Sequence, residues 1–235
     1  MNDYKINGVD EIVCAECTRR CDMFSPLSDE EMEYLHIHRY VARFKSGEII
    51  YKQGSPISHI VSFSKGLAKL YLENEAQNDV IFGIIRPGSL MGGASLFLER
   101  VHNYSFAALI ESVVCFIDIN AFMVLLRKNH HFADLFLQDL CRKNLMLRDR
   151  LLNVTLKQSH GRMADLLLYL CDEIFKSEQY DITLSRQELA DFTGMSKEGT
   201  IRILKEFKTD GLIDFQNQQF QIIDKKRLYE VSVNG

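Results

Sequence analysis

Apolar and polar positions along this chain change rhythm near residue 120. From about 44 to 119, short apolar runs alternate with glycine-marked turns at Gly47, Gly54, Gly66, Gly88 and Gly92-Gly93. The runs 49–52, 59–63, 67–72, 80–85, 105–109 and 113–117 read as strands, and their even spacing predicts an antiparallel sandwich or jelly roll. Ahead of them, Ser28-Asp29-Glu30-Glu31 has the form of a capping box opening a short helix through His36. Beyond 120 the period becomes helical, and residues 131–156 contain neither Gly nor Pro. Leu137, Leu140, Asn144, Leu147, Leu151 and Val154 fall at alternating three- and four-residue steps. That is the a/d seam of a two-helix interface, with Asn144 as its one polar member, and it predicts a homodimer. The alternative is a helix packed on its own domain with Asn144 at the edge.

The stretch 184–207 carries two short helical patterns around Gly194. The first, 186–192, follows Ser185; the second, 197–207, follows Ser196. Each serine can accept hydrogen bonds from first-turn backbone N–H groups. Leu189 and Ala190 on the first helix, with Ile201, Ile203 and Leu204 on the second, supply inward contacts. This is a helix-turn-helix, whose second helix enters the major groove of double-stranded DNA by its N-terminal end. The candidate DNA-binding residues are Ser196, Lys197, Glu198, Gly199, Arg202 and Lys205. Arginine can fork onto guanine O6 and N7, and glutamate can accept from cytosine N4. Ser196 and Lys197 suit phosphates, which set register. Glu198 and Arg202 share a helix face; the bland reading is a surface ion pair of about 0.2–0.5 kcal/mol. Gly199 either admits close approach to DNA or is a tolerated surface glycine. Apolar runs 212–215 and 220–223 flank Gln216-Asn217-Gln218-Gln219 and predict a β-hairpin wing.

With 235 residues, 46% of them hydrophobic, the chain is long enough for two domains. The expected organisation is an N-terminal arm (1–27), an effector-sensing β-roll (28–119), a dimerisation helix and hinge (120–156) and a winged helix-turn-helix (157–235). The class is therefore α+β. A formal charge of −4 gives no support to nucleic-acid binding. Only the second helix of the motif is locally basic, with Lys197, Arg202, Lys205 and Lys208 against Glu198 and Glu206. The polar, acidic N-terminus is not a signal peptide, and no apolar run is long enough to span a membrane. Six cysteines in that setting suggest a reducing cytoplasm. No P-loop, nucleotide fingerprint or nucleophile–His motif is present in the sequence, so an enzyme is not expected.

This order of β-roll, long helix and winged helix-turn-helix resembles the Crp/Fnr family of bacterial transcription regulators over nearly the whole chain. The strongest match is Ser196-Lys197-Glu198 through Arg202-Ile203-Leu204-Lys205, which is similar to the family's recognition helix. The resemblance implies an inverted-repeat operator with TGA-like half-sites read by Glu198 and Arg202, and RNA polymerase as a protein partner. Ile201 holds a position that differs among subfamilies. Cyclic-AMP-binding members carry a Gly-Glu-Leu segment and an Arg-Ser/Thr pair. The matching places here are Gly92-Gly93-Ala94-Ser95-Leu96 and Tyr104-Ser105, without the acid or the arginine. A phosphate there would lack its charge-assisted bonds, so cyclic-AMP binding in the usual manner is not expected. Gly92, Gly93, Ser95, Tyr104 and Ser105 remain a candidate pocket for another small molecule.

Three thiols crowd the arm in Cys14-Ala-Glu-Cys17-Thr-Arg-Arg-Cys21. Together with Ser112-Val-Val-Cys115, the pattern resembles the oxygen-sensing Fnr branch. That branch carries a 4Fe–4S cluster on three N-terminal cysteines and one at the place of Cys115. The resemblance implies Cys14, Cys17, Cys21 and Cys115 as ligands of a cluster sensitive to oxygen or nitric oxide. The spacing between Cys17 and Cys21 is shorter than the branch usually shows. Structural zinc, a thiol switch favoured by Arg19 and Arg20, haem, a metabolite or no cofactor remain alternatives. A more distant alternative is an iron–sulfur electron carrier. Cys141 and Cys171 lie in helical patterns and are expected in the core. His36, His38, His130 and His131 are expected at the surface or at helix ends.

Overall fold

A computed structural model describes residues 21–74, 79–98 and 100–235. Its first helix, α1 (Asp29–Ile37), opens with the expected capping box: Ser28 Oγ accepts from the Glu31 N–H, and Glu31 accepts from the Ser28 N–H at 2.9 Å. Eight strands follow: β1 (Arg39–Phe44), β2 (Ile49–Tyr51), β3 (His59–Lys65), β4 (Ala68–Leu72), β5 (Val80–Ile85), β6 (Leu90–Met91), β7 (Ser105–Ala108) and β8 (Ser112–Asp118). A one-turn helix, α2 (Gly93–Leu96), precedes β7.

The strands form two four-stranded antiparallel sheets, ordered β1-β8-β3-β6 and β2-β7-β4-β5. Their inner faces meet on Val61, Phe63, Phe106, Val114 and Phe116. Side chains alternate across a strand. Cys115 therefore lies on the outer face, directly opposite Ser62 on β3 and Val41 on β1. The turn into β4 depends on Gly66, whose φ is +96°; a Cβ there would stand 2.6 Å from the Glu111 carbonyl oxygen.

The helical stretch after the roll is two helices rather than one. Asp118 caps α3 (Ile119–Lys128), and Asn129 separates it from α4 (His130–Leu156). Asn129 is extended, with φ −112° and ψ 101°, and its side chain caps Phe132 N–H at 3.0 Å. Its amide also donates to Pro26 O and Glu31, so the break is tied to the segment before the roll.

The C-terminal unit begins with α5 (Ser159–Tyr169), which continues as a π-helical turn, Leu170–Phe175, and stops at left-handed Lys176. Then come β9 (Gln179–Asp181), α6 (Arg186–Thr193), α7 (Lys197–Thr209), β10 (Ile213–Gln216), β11 (Gln219–Ile222) and α8 (Lys225–Asn234). Strands β10, β11 and β9 form a small antiparallel sheet, and Asn217 at φ +55° turns the expected hairpin. Thus the expected α+β architecture is present: an antiparallel roll, a long helix and a winged helix-turn-helix.

One hydrophobic cluster runs from Leu67, Tyr71, Ile81, Ile84 and Leu109 of the roll into Leu167, Leu189, Phe192, Ile203, Leu204 and Phe220 of the C-terminal unit. A second joins Cys21, Met23 and Phe24 to Ile60 and Ile117 on the outer sheet face and to Phe122, Phe132 and Phe136. Among the described residues no helix is long and apolar enough to cross a membrane.

Candidate nucleic-acid interface and sensing sites

The helix-turn-helix is fixed by its caps. Ser185 and Glu188 exchange capping-box hydrogen bonds at the start of α6, and Ser196 Oγ accepts from Gly199 N–H at 3.1 Å at the start of α7. Gly194 takes the left-handed conformation between them, at φ +62°. Thr200, Ile203, Leu204 and Phe207 bury one face of α7. The opposite face leaves Ser196, Lys197, Glu198, Arg202 and Lys205 exposed, with Gly199 half-buried beneath its cap. Ile201 is also half-buried, so its inward role is only partial.

An open groove of about 660 Å³ runs along this face, lined by Glu198, Ile201, Arg202, Lys205, Glu206, Thr209 and Asp210. The alternative of a surface ion pair between Glu198 and Arg202 is not what forms. Arg202 Nε faces Glu206 instead, at 3.7 Å, one turn onward. Glu206 is also bound by His160 Nε2 of α5, at 2.7 Å. Neither His160 nor Glu206 is among the candidate DNA-binding residues; they are 46 positions apart.

The roll and the motif are joined by a partly buried ion pair, Lys69 Nζ to Glu188 Oε1 at 2.7 Å. Burial pushes the Glu188 carboxyl up, but the bonds from Lys69 and Ser185 outweigh it and hold the group below its ordinary value. Arg150 of α4 stacks over the Phe192 ring at 4.1 Å, and burial lowers its pKa to about 10.

The proposed seam on α4 has a graded exposure. Leu140 and Val154 are half-buried, whereas Leu137, Asn144, Leu147 and Leu151 are exposed, as are Leu145 and Leu152 nearby. Lys143, one turn before Leu147, reaches the Leu90 carbonyl and Asp139, which ties α4 to its own roll along the flank of the seam. Cys141 is exposed on this helix, contrary to the core position expected for it, because the middle turns of α4 project beyond the roll. Cys171 is buried as expected, and burial together with Asp172 raises its thiol pKa to about 11.

In the roll, Gly92 at φ +97° opens α2, Ser95 is buried, and the backbone of Gly92 hydrogen-bonds the Tyr104 hydroxyl. Burial pushes that hydroxyl's pKa up. Gly93 starts α2. Ser105 is fully buried; its hydroxyl accepts from Gln53 N–H at 2.7 Å and donates to the Glu73 carboxylate. The sequence-predicted pocket residues therefore split: Tyr104 meets Gly92, whereas Ser105 is committed to Gln53 and Glu73.

Of the candidate cluster ligands, Cys14 and Cys17 lie outside the described residues, as do Arg19 and Arg20. Cys21 is buried with Met23, Phe24 and Ile117. Cys115 is two residues from Ile117 on the same sheet face, with Ser64 Oγ 3.5 Å from its sulfur. Both described thiols thus belong to the outer side of the β1-β8-β3-β6 sheet, near the start of α4. Burial raises the Cys21 thiol pKa. Among the described residues no three His, Cys, Asp or Glu side chains gather as a metal site. His38 caps the end of α1 through Tyr34 O, His36 contacts Arg39, and His130 and His131 start α4 exposed.

Comparison with known proteins places both halves. The Crp-like helix-turn-helix domain matches residues 161–231, and the cyclic nucleotide-binding domain matches residues 41–129. The transcriptional activator protein anr of Pseudomonas aeruginosa is 23% identical, with 95% of this chain and 94% of that protein covered. The transcriptional activator protein FnrL of Cereibacter sphaeroides is also 23% identical, over 93% of this chain and 86% of its own. The structure of FixK2 from Bradyrhizobium japonicum superposes with a TM-score of 0.77 at 18% identity, covering 84% of this chain and 98% of FixK2. With its β-roll, long helix and capped helix-turn-helix, the chain belongs to the Crp/Fnr family of DNA-binding transcription regulators.

Proposed function

We propose that the chain acts as a homodimer that reads an inverted-repeat operator and sets its DNA affinity by the state of a 4Fe–4S cluster. The observation that carries this reading is the incompleteness of α4: Leu137, Leu147 and Leu151 stand exposed on a helix with no buried residue between Phe136 and Asn153, tied to the roll there through Lys143. A second copy covering them would present two recognition helices to two half-sites about one DNA turn apart. Arg202 and Glu198 would then read base edges, and Ser196, Lys197 and Lys205 would hold phosphates. Gly199 would let the backbone approach. RNA polymerase would be the protein partner of the DNA-bound dimer.

Cys14, Cys17, Cys21 and Cys115 are the ligand set for the cluster, an all-thiolate set suited to it. When bound, such a group supplies an oxygen- and nitric-oxide-labile cross-link between the arm and the roll. Support for the fit comes from Cys21, which is buried in one cluster with Phe24 and Ile117, and from Cys115, two residues before Ile117 on the same strand and face; Phe24 stacks on Phe132 of α4 at 5.8 Å. A change in how Cys21 is held thus acts on the first turn of α4. A cyclic nucleotide is not the effector in this reading, because Ser105 already faces the Glu73 carboxylate and Tyr104 stands where cyclic-AMP-binding members carry an arginine.

Anaerobic purification with absorption, iron and sulfide analysis tests this. About four irons per chain, bleached by air together with loss of operator affinity, is the expected result. A colourless, iron-free protein that binds its operator identically before and after air would remove the cluster and leave the regulator.

A further inference from the structure

Glu206 is not among the candidate DNA-binding residues of the helix-turn-helix, yet its two carboxylate oxygens serve two elements. Oε2 is bonded by His160 Nε2 at 2.7 Å, and Oε1 faces Arg202 Nε at 3.7 Å. His160 is on α5 and rests near the Phe207 ring, 5.9 Å between centroids. Phe207 is fully buried, so the histidine is referenced to the domain core. The Arg202 guanidinium is exposed and turns its Nε edge toward Glu206. Glu206 addresses the Nε side, and the terminal nitrogens have no ion-pair partner among the described residues. A guanine needs those nitrogens for its O6 and N7.

We infer that Glu206, anchored by His160, is a positioning residue that aims Arg202 at one base of the operator. The inference rests on the reading of Arg202 as a base-contacting residue. An arginine held at Nε gives up rotamer freedom before binding, which lowers the ordering cost at the contact. The same carboxylate lies in the groove along the reading face and repels phosphate. Its two effects on DNA therefore have opposite signs. It raises discrimination at one base pair and lowers affinity for DNA of any sequence.

That opposition gives the test. The full-chain protein, loaded with whatever cofactor it retains anaerobically, is used to select an operator from a random inverted-repeat library. Fluorescence anisotropy then measures binding to that operator, to each single-base-pair variant of the half-site and to unrelated duplex. Arg202→Ala is expected to lose about tenfold or more of its discrimination at one pair. Glu206→Gln is expected to lose about threefold to tenfold at that same pair only, with affinity for unrelated duplex equal or higher. His160→Ala should give a smaller loss at the same pair. In the Arg202→Ala background, Glu206→Gln should change discrimination no further.

Wild-type discrimination in Glu206→Gln would overturn the positioning role while leaving Arg202 as a reader. So would an equal loss at every pair, or a loss that persists without Arg202. An Arg202→Ala variant that discriminates as wild type would overturn the positioning role together with the reading of Arg202. Thermal melts of each variant separate these outcomes from unfolding.

Discussion

The helix-turn-helix and the middle of α4 are built from similar numbers of leucines and isoleucines, but they use them differently. On α7 every large aliphatic side chain except half-buried Ile201 is buried against the same chain, and the polar face is left clear. On α4, Leu145, Leu147, Leu151 and Leu152 are exposed, and no buried residue lies between Phe136 and Asn153. The first element is finished by intrachain contacts. The second is left open within this chain. An exposed Leu is unremarkable singly, but a continuous apolar row on one helix marks an interface.

That contrast can be broken most strongly at α7. Leu204→Ala removes a fully buried side chain and should destabilise the C-terminal unit by about 2–5 kcal/mol, read by thermal or urea unfolding. A loss under about 1 kcal/mol would mean that the cluster around Leu204 repacks freely. Next is the ion pair that ties α6 to the roll. Lys69→Ala strands a partly buried carboxylate and should cost about 1.5–3 kcal/mol near neutral pH. The sign with pH follows from Glu188, whose carboxyl is held below its ordinary value of 4.5. Its contribution is complete above that value and is lost as pH falls through the lower folded-state value. The wild-type advantage over Lys69→Ala should therefore shrink on acidification. An advantage that is constant from pH 7 to pH 3 would assign it to packing alone.

The smallest effect on intrachain stability is expected on α4. Leu151→Glu should leave helix content unchanged and weaken self-association by about tenfold or more, because a charge in an a/d seam has no partner there. Sedimentation velocity over a concentration series reads this directly. A wild-type protein that stays monomeric at all concentrations, or a variant that associates as tightly as wild type, would place the seam out of use.

Legibility in the sequence followed the range of the interactions. Ser28, Ser185 and Ser196 announce helix starts because a cap is satisfied within three residues, and all three caps form. The strands of the roll were readable from alternation, save β1 and β6. β1 runs Arg39-Tyr-Val-Ala-Arg-Phe44 with Arg39 half-buried and Arg43 exposed, and only pairing with distant β8 makes it a strand. β6 is two residues long and forms because Val61 and Ser62 lie beside it. Helix α8 has only Leu228 and Ser232 buried, so it carries almost no apolar stripe; packing on α5 holds it. Cys141 sits in a helical pattern indistinguishable from a core helix, and only the three-dimensional placement shows that nothing covers it. The DNA-reading face was visible as a motif, whereas His160 and Glu206 meet through tertiary packing and leave no local signal.

The cluster that crosses from the roll into the helix-turn-helix has a thermodynamic consequence. Tyr71, Ile81 and Ile84 share their apolar environment with Leu167, Phe192 and Ile203, so the roll, although it keeps a core between its sheets, covers part of the C-terminal unit's core and is covered by it. Opening the C-terminal unit exposes roll residues to water, and loosening the roll takes support from α6. The two then form one cooperative unit rather than beads on a string. Occupancy at the DNA face is in that case recorded as slowed amide exchange in β4 and β5, and the sensor half of the molecule carries a memory of what the reader half has bound.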